Sequence, residues 1–103
     1  MQFAIIAYDG TDEQALDRRL GAREAHIKLG DQLVANGQAI FGAAIMSDTD
    51  KMIGSIEIVD FSSREALDEY LETEPYVLGN VWEKIEVVPC KVGPSYEKLL
   101  NRD

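Results

Sequence analysis

Short apolar runs, separated by turn-forming residues, divide the chain into candidate β-strands. Runs of this length that are rich in β-branched residues and bounded by Gly, Asp or Asn are typical of strands. They cover residues 2–8, 38–46, 52–61 and 82–91. In the first run both alternating faces are apolar, which indicates a strand covered on both sides. Gly54 lies inside the third run, where we expect a bulge or a close backbone approach.

Helical spacing fills the gap between the first two strands. Residues 11–14 have the form of a capping box that starts a helix, and Gly21 is expected to interrupt that helix. Gly37 is placed as a left-handed stop after it. The three-to-four spacing predicts a buried apolar stripe on this helix, made of Leu16, Leu20, Ile27 and Val34.

A second capping box, at residues 62–65, predicts a helix that runs through Leu71. A short helical turn is expected around Pro75 and ends near Gly79, and the tail, residues 95–103, is expected to form one more turn. Pro89 lies in the last strand and cannot donate a hydrogen bond from its backbone nitrogen. It therefore places that strand at an edge or a bulge.

The predicted order is β-α-β-β-α-β, which is the ferredoxin-like α+β arrangement with an antiparallel four-stranded sheet. At 103 residues the chain fits a single domain, residues 1–103. Two helices would cover one face of the sheet, and the other face would present isoleucine, valine and aromatic side chains. A second copy of the same sheet is the simplest cover, so the pattern predicts a homodimer.

Composition and charge narrow the function classes. Hydrophobic residues make up 46% and charged residues 28%, which is typical of a globular protein. The net charge of −9 argues against binding to nucleic acid. No apolar run is long enough to span a bilayer, and the first residues lack a secretory signal pattern, so we expect a cytoplasmic protein. Cys90, the only cysteine, excludes an internal disulfide, and we expect it to be a buried small side chain.

The candidate catalytic residues are His26 and Glu74. His26 is the only histidine, and its imidazole suits proton transfer near neutral pH. The structural alternative is a half-buried histidine bonded to backbone or water. Glu74 precedes a proline, so from its position alone it could simply begin a short helix, where negative charge is favourable. A carboxylate against one ring nitrogen would fix the tautomer and leave the other nitrogen to act.

Three further residues are candidates for substrate binding: Arg23, Ser55 and Tyr76. Arg23 could clamp a carboxylate, or form a surface ion pair. Ser55 offers a hydroxyl group on a strand, although most strand serines only fill space. Tyr76 and Trp82 are interpreted first as core or dimer aromatics, with stacking on a ligand as the alternative. No phosphate-binding loop and no Cys/His metal set is present, so neither a metal nor a cofactor is indicated.

Three sequence blocks together resemble the YciI-like (YCII-related) family, a member of the dimeric α+β barrel group. They are Arg23-Glu24-Ala25-His26, Ile53-Gly54-Ser55-Ile56, and the segment from Asp68 to Lys91 with its Glu74-Pro75-Tyr76-Val77. The resemblance implies two sheets packed face to face, a pocket beside each sheet, and a His–acid pair in that pocket. Where the family has Asp before Pro-Tyr this chain has Glu74, which is one methylene longer.

Two functions follow from these residues and the resemblance. The first is an enzyme of the lyase or isomerase type, similar to dehydrochlorinases, in which His26 moves a proton on a small cyclic or anionic metabolite. The second is a non-catalytic dimeric module that binds a ligand or serves as an accessory domain. An enzyme requires His26 to lie within reach of Glu74, and a binding module does not.

Overall fold

The computed structural model describes residues 1–99, which form one sheet with helices on one of its faces. The elements are β1 (Gln2–Asp9), α1 (Ala15–Ala35), β2 (Ala39–Met46), β3 (Met52–Asp60), α2 (Arg64–Thr73), α3 (Pro75–Leu78), β4 (Trp82–Cys90) and a 3-10 helix (Pro94–Leu99). The predicted strands are confirmed to within one residue at each end. The predicted turn in the tail is a 3-10 helix up to Leu99, and residues 100–103 lie outside the described residues.

The four strands are antiparallel in the order β2-β3-β1-β4. This order, with the two helical crossovers, is the predicted ferredoxin-like α+β fold. β4 is an edge strand, as the position of Pro89 indicated. Gly54 packs so closely against the backbone carbonyl oxygen of Ala7 that a Cβ atom would collide with it. The close approach expected at Gly54 is therefore confirmed.

The beginning and the continuity of α1 differ from the prediction. The helix runs unbroken through Gly21, whose surroundings are open, so the interruption expected there is wrong. Glycine inside a helix costs about 1 kcal/mol, which packing of a 21-residue helix on the sheet offsets. The helix begins at Ala15 and the side chain at its N-cap, Gln14, makes no capping hydrogen bond. Asp12 pairs with Arg18 and accepts a hydrogen bond from the Gln14 backbone at 3.3 Å. At the other end Gly37 has φ 83°, as predicted.

The predicted apolar stripe of α1 was wrong by one position along the helix. Leu20, Ile27 and Val34 are 51%, 42% and 40% exposed. The side of the helix that faces the sheet follows the same three-to-four spacing through different residues, namely Ala15, Arg19, Ala22, His26, Leu29 and Leu33. The helix therefore turns an arginine and the only histidine inward.

The segment from α2 to α3 sets the position of Glu74. Ser63 caps α2, since its hydroxyl oxygen accepts a hydrogen bond from the Ala66 backbone at 3.0 Å. The cap is one residue later than the box predicted at residues 62–65, and α2 extends to Thr73 rather than Leu71. Glu74 then stands in extended conformation between the two helices, and Pro75 begins α3.

Two buried clusters lie between the sheet and the helices. One is built around Phe3, Ile5 and Leu67, and the other around Tyr76 and Trp82. Helices α1, α2 and α3 leave the opposite face of the sheet uncovered, and Ile56 and Val88 on that face are 38% and 37% exposed. No helix in this part of the chain is long and apolar enough to cross a membrane.

Cys90 is exposed, not buried as predicted. It pairs with Gln2 at the end of edge strand β4, where the side chains of that row point to the face without helices. The pattern around Cys90 predicts a strand but does not show which face of that strand the helices cover. The burial expected for Cys90 was therefore wrong.

Candidate functional site

The structure brings His26 of α1 and Glu74 together. His26 Nδ1 lies 2.6 Å from Glu74 Oε1, and the two side chains are 20% and 1% exposed. Because a carboxylate can only accept, the hydrogen between them belongs to Nδ1. The other ring nitrogen, Nε2, has no hydrogen-bond partner among residues 1–99 and is the atom left to act.

Glu74 both caps a helix and holds His26, so the two roles considered for it coexist. Its Oε1 also accepts a hydrogen bond from the Tyr76 backbone at 3.1 Å, which caps α3. Its Oε2 accepts from the Tyr70 hydroxyl at 2.7 Å. These donors fix both carboxylate oxygens, and with them the plane in which His26 is held.

Tyr76 orients the imidazole from its other side. Its ring is stacked on His26 with centroids 3.8 Å apart and an interplanar angle of 10°. Trp82 meets the edges of both rings, at 5.7 Å from Tyr76 and 6.2 Å from His26. Burial raises the pKa of Tyr76, against the opposing charges of Arg19 and Arg23, so it remains a neutral hydroxyl. Tyr76 thus packs in the core and positions His26 at the same time.

Ser55 belongs to a buried network that supports these aromatic residues from below. Arg19 donates from Nη1 to both oxygens of Asp9, at 3.0 and 3.1 Å, and from Nη2 to Ser55 Oγ at 2.9 Å. Ser55 Oγ also accepts from Trp82 Nε1 at 3.1 Å. The Arg19 guanidinium lies 4.7 Å from the Tyr76 ring centroid. Ser55 is therefore a structural partner of Trp82, buried with 4% exposure.

Glu57 and Tyr70 extend the His26–Glu74 pair into a chain of four side chains. The Tyr70 hydroxyl lies 2.9 Å from Glu57 Oε1, in addition to its contact with Glu74. Burial, followed by the charges of Glu57 and Glu74, raises the pKa of Tyr70 far above its usual value. Burial is also the main cause of a raised pKa at Glu57, and the charge of Glu74 adds to it.

His26, Glu57 and Glu74 also form the group that comes nearest to a metal site in residues 1–99. One possible ligand atom from each lies within 4.8 Å of the others. Both Glu74 oxygens, however, already accept hydrogen bonds from three donors. A metal ion would compete with those donors for the Glu74 oxygens, and the contacts present make the trio part of a hydrogen-bonded chain.

The four hydrogen-bonded side chains of His26, Glu74, Tyr70 and Glu57 border a cleft of about 260 Å³ between α1 and the β2–β3 side of the sheet. The cleft has an acidic end with His26, and otherwise mainly apolar walls formed by Ile27, Leu33, Val34, Ala39, Phe41 and Val59. Arg23 is exposed and lies outside this lining, unlike the clamp considered for it. Among the described residues no Lys or Arg lines the cleft.

The sequence reasoning missed Asp9, Arg19, Glu57 and Tyr70. The sequence pattern had indicated no chemical role for any of them. One available signal was the three-to-four spacing that joins Arg19 to His26 through Ala22. Another was the alternation of β3, which places Glu57 on the same face as Ser55 and Val59.

Comparison with known proteins agrees with this fold. Residues 1–91 match the model of the YCII-related domain. Protein YciI from Escherichia coli O6:H1 and its counterpart from Shigella flexneri are each 32% identical to the chain over 98 residues, covering 88% of the chain and 97% of each relative.

Among solved structures, the fold is similar to that of 5-chloro-2-hydroxyhydroquinone dehydrochlorinase from Burkholderia phenoliruptrix, in complex with 2,5-dihydroxybenzoquinone. The TM-score is 0.78 at 22% identity, over 92% of this chain and 98% of that one. This likeness concerns the fold, whereas the family match rests on the sequence itself. The chain belongs to the YCII-related family.

Proposed function

We propose that the protein is an enzyme of the lyase or isomerase type that transfers protons on a small, uncharged ring compound. The carrying observation is the 2.6 Å contact between His26 Nδ1 and Glu74 Oε1, which leaves Nε2 as a base beside a mainly apolar cleft. Glu74 stabilises the imidazolium that forms when Nε2 takes a proton. The structural neighbour, a dehydrochlorinase, is compatible with such chemistry.

The reaction needs one proton acceptor and a leaving group or a second proton site. In an elimination, Nε2 of His26 takes the proton of a ring hydroxyl, the electron pair of that O–H bond becomes a C=O bond, and the proton returns to the ring carbon that bears chlorine. That carbon then releases chloride while a second hydroxyl loses its proton and becomes the other C=O group, which gives the quinone and HCl. In an isomerisation, the imidazolium returns the proton to another atom of the same compound. Both versions begin with the same step at Nε2.

The cleft favours an uncharged substrate over an anionic one. Its acidic groups are the carboxyls of Asp31, Glu57 and Glu74, and no lysine or arginine lines it within residues 1–99. An anion would meet unfavourable electrostatic potential there, as it would over a surface whose net charge is −9. Hydroxyl or carbonyl groups on a flat ring could instead bond to the acidic end while the ring packs against the apolar walls.

The test is to measure turnover of chlorinated and unchlorinated hydroxyhydroquinones. Turnover is monitored through chloride release and through the absorbance of the quinone product. The wild type should turn over at least one of these compounds. His26→Gln should reduce kcat by about 10²–10⁴-fold, the usual contribution of a general base. Lys28→Gln, an exposed change on the same helix, is the matched control. Ligand binding that is retained with no turnover by the wild type would favour a non-catalytic binding module instead.

The same proposal includes a homodimer formed through the sheet face that carries no helix. That face presents apolar side chains of three strands, among them Ile6, Ile56 and Val88. Burying such a surface against a second copy is favourable by about 25 cal/mol per Å². Light scattering on the full chain should give twice the monomer mass. A monomeric mass at high protein concentration would contradict this part of the proposal.

A further inference from the structure

The hydroxyl group of Tyr70 stands between two carboxyl groups, although it has only one hydrogen to donate. It lies 2.7 Å from Glu74 Oε2 and 2.9 Å from Glu57 Oε1. Tyr70 keeps its hydrogen, because burial and the two carboxyls raise its pKa. If it donates to one carboxylate, the oxygen of the other can bond to it only by carrying a hydrogen. Two ionised carboxylates would leave one of these contacts between two acceptors.

The hydrogen-bond partners decide which carboxyl group is protonated. Glu74 accepts from His26 Nδ1, from the Tyr76 backbone and from Tyr70, and this set of donors stabilises its charged form. The carboxyl of Glu57 has Tyr70 as its one hydrogen-bond partner in residues 1–99. Glu57 is partly buried and faces the negative charge of Glu74, so its neutral form is favoured there.

We propose that Glu57 and Glu74 share a single proton through Tyr70, and that this proton resides on Glu57 in the resting protein. Glu57 donates to the Tyr70 oxygen, Tyr70 donates to Glu74, and Glu74 remains the anionic acceptor for His26. Glu57 is therefore a positioning residue, which acts on His26 through two intermediates. The location of the proton stands without any turnover, whereas its importance for the His26 base rests on the function proposed above.

Ionisation of Glu57 would break this order. The groups around it are Tyr70 and Glu74 from the end of α2, His26 from α1, and Asp31, which lines the same cleft. Of these, only the imidazole can supply a positive charge. Once Glu57 loses its proton, Tyr70 can satisfy one carboxylate at most. The hydrogen bond from Tyr70 to Glu74 is then weakened as pH rises, and with it the positioning of His26 by Glu74.

The same proton links stability to pH. Burial raises the pKa of Glu57 above its ordinary value of 4.5, so between that value and its native pKa the folded protein holds a proton that the unfolded chain releases. The free energy of unfolding therefore falls as pH rises through this window. The equilibrium constant of unfolding rises by up to a factor of about ten per pH unit. Asp9, whose pKa burial also raises, contributes in the same direction.

The deciding experiment follows the carboxyl carbons of ¹³C-labelled glutamate by NMR over roughly pH 4–9. In the wild type one glutamate should titrate well above all others. This signal should disappear in Glu57→Gln and move toward the ordinary range in Glu74→Gln, which removes the facing charge. Glu86→Gln, at an exposed strand position, should leave it in place. If every glutamate of the wild type titrates at or below the ordinary range, the proposal is wrong.

Denaturation at several pH values is the second readout. Glu57→Gln mimics the protonated acid, since its amide can donate to the Tyr70 oxygen, and it should flatten the fall in stability that the wild type shows with rising pH. An unchanged pH dependence would contradict the proposal. If Glu57→Gln does not fold, the wild-type NMR titration alone decides. If Glu57 carries the proton but no compound is turned over, this inference stands and the proposed function fails. If a compound is turned over while Glu57 is ionised at neutral pH, the proposed function stands and this inference fails.

Discussion

A protein in which Arg19 is replaced by methionine should lose about 3–5 kcal/mol of its free energy of unfolding. Arg19 and Asp9 are 3% and 7% exposed and form an ion pair at 3.0 Å under the aromatic cluster. Methionine fills a similar space but leaves the Asp9 carboxylate buried without its partner. It also removes the hydrogen bond to Ser55.

Arg18→Met is the matched control for this change. The neighbouring arginine on the same helix also binds an aspartate through two hydrogen bonds, but that pair, with Asp12, is substantially exposed. An exposed pair contributes about 0–1 kcal/mol, so Arg18→Met should have a small effect on chemical denaturation. Equal losses for the two variants would contradict the argument from burial.

Removing the charge of Asp9 should rescue part of the loss. In Arg19→Met, burial still raises the pKa of Asp9 and the arginine no longer opposes it. A group whose native pKa is raised contributes stability below its unfolded pKa that is lost as pH rises. The deficit of Arg19→Met should therefore shrink in acid, and the double change with Asp9→Asn should be more stable at neutral pH than Arg19→Met alone.

Glu74→Gln should reduce turnover by about 10²–10⁴-fold while the fold is retained. The glutamine oxygen can accept from His26 Nδ1 and the Tyr76 backbone, and its amide can donate to the Tyr70 oxygen, so each contact has an acceptable partner. What is lost is the negative charge that stabilises the imidazolium. The loss should appear in kcat, with KM much less affected, because that charge acts when the proton has moved.

Glu72→Gln, an exposed change two residues earlier in the last turn of α2, controls for surface charge. Steady-state kinetics, with circular dichroism to verify folding, make the measurement. Full activity in a folded Glu74→Gln protein would show that the carboxylate is only a helix cap. A variant that fails to fold would be replaced by Glu74→Asp, which keeps the charge but shortens the side chain. We expect Glu74→Asp to retain part of the activity.

Much of the fold could be predicted because it depends on local patterns of apolar, polar and turn-forming residues that are visible in the sequence. Short apolar runs defined the strands, and Gly37 marked the end of the first helix. The face of α1 was the main error, since Leu20, Ile27 and Val34 fit a helical stripe as well as the real one does. Hydrophobicity favoured the stripe without charges, whereas the folded chain buries Arg19 and compensates it with Asp9.

The candidate site could be predicted only where a single residue indicates a function by its type or its position in the sequence. His26 stood out as the only histidine, and Glu74 through its place before a proline and through the family resemblance. The alternation of β3 places Glu57 on the inward face, but the roles of Glu57 and Tyr70 could not be predicted, because a strand glutamate and a helix tyrosine acquire their roles from contact across the fold. Arg23, the more visible cation, lies outside the cleft, while the buried Arg19 is the one that supports the site.

Trp82 gives this protein an optical probe of its own site. It is the only tryptophan, its indole nitrogen donates to Ser55, and its ring meets the edges of Tyr76 and His26. Indole emission responds to nearby charge and polarity, and a protonated imidazole at such a distance quenches it. Intrinsic fluorescence of the unlabelled protein should therefore report both the charge of His26 and the arrival of a ligand.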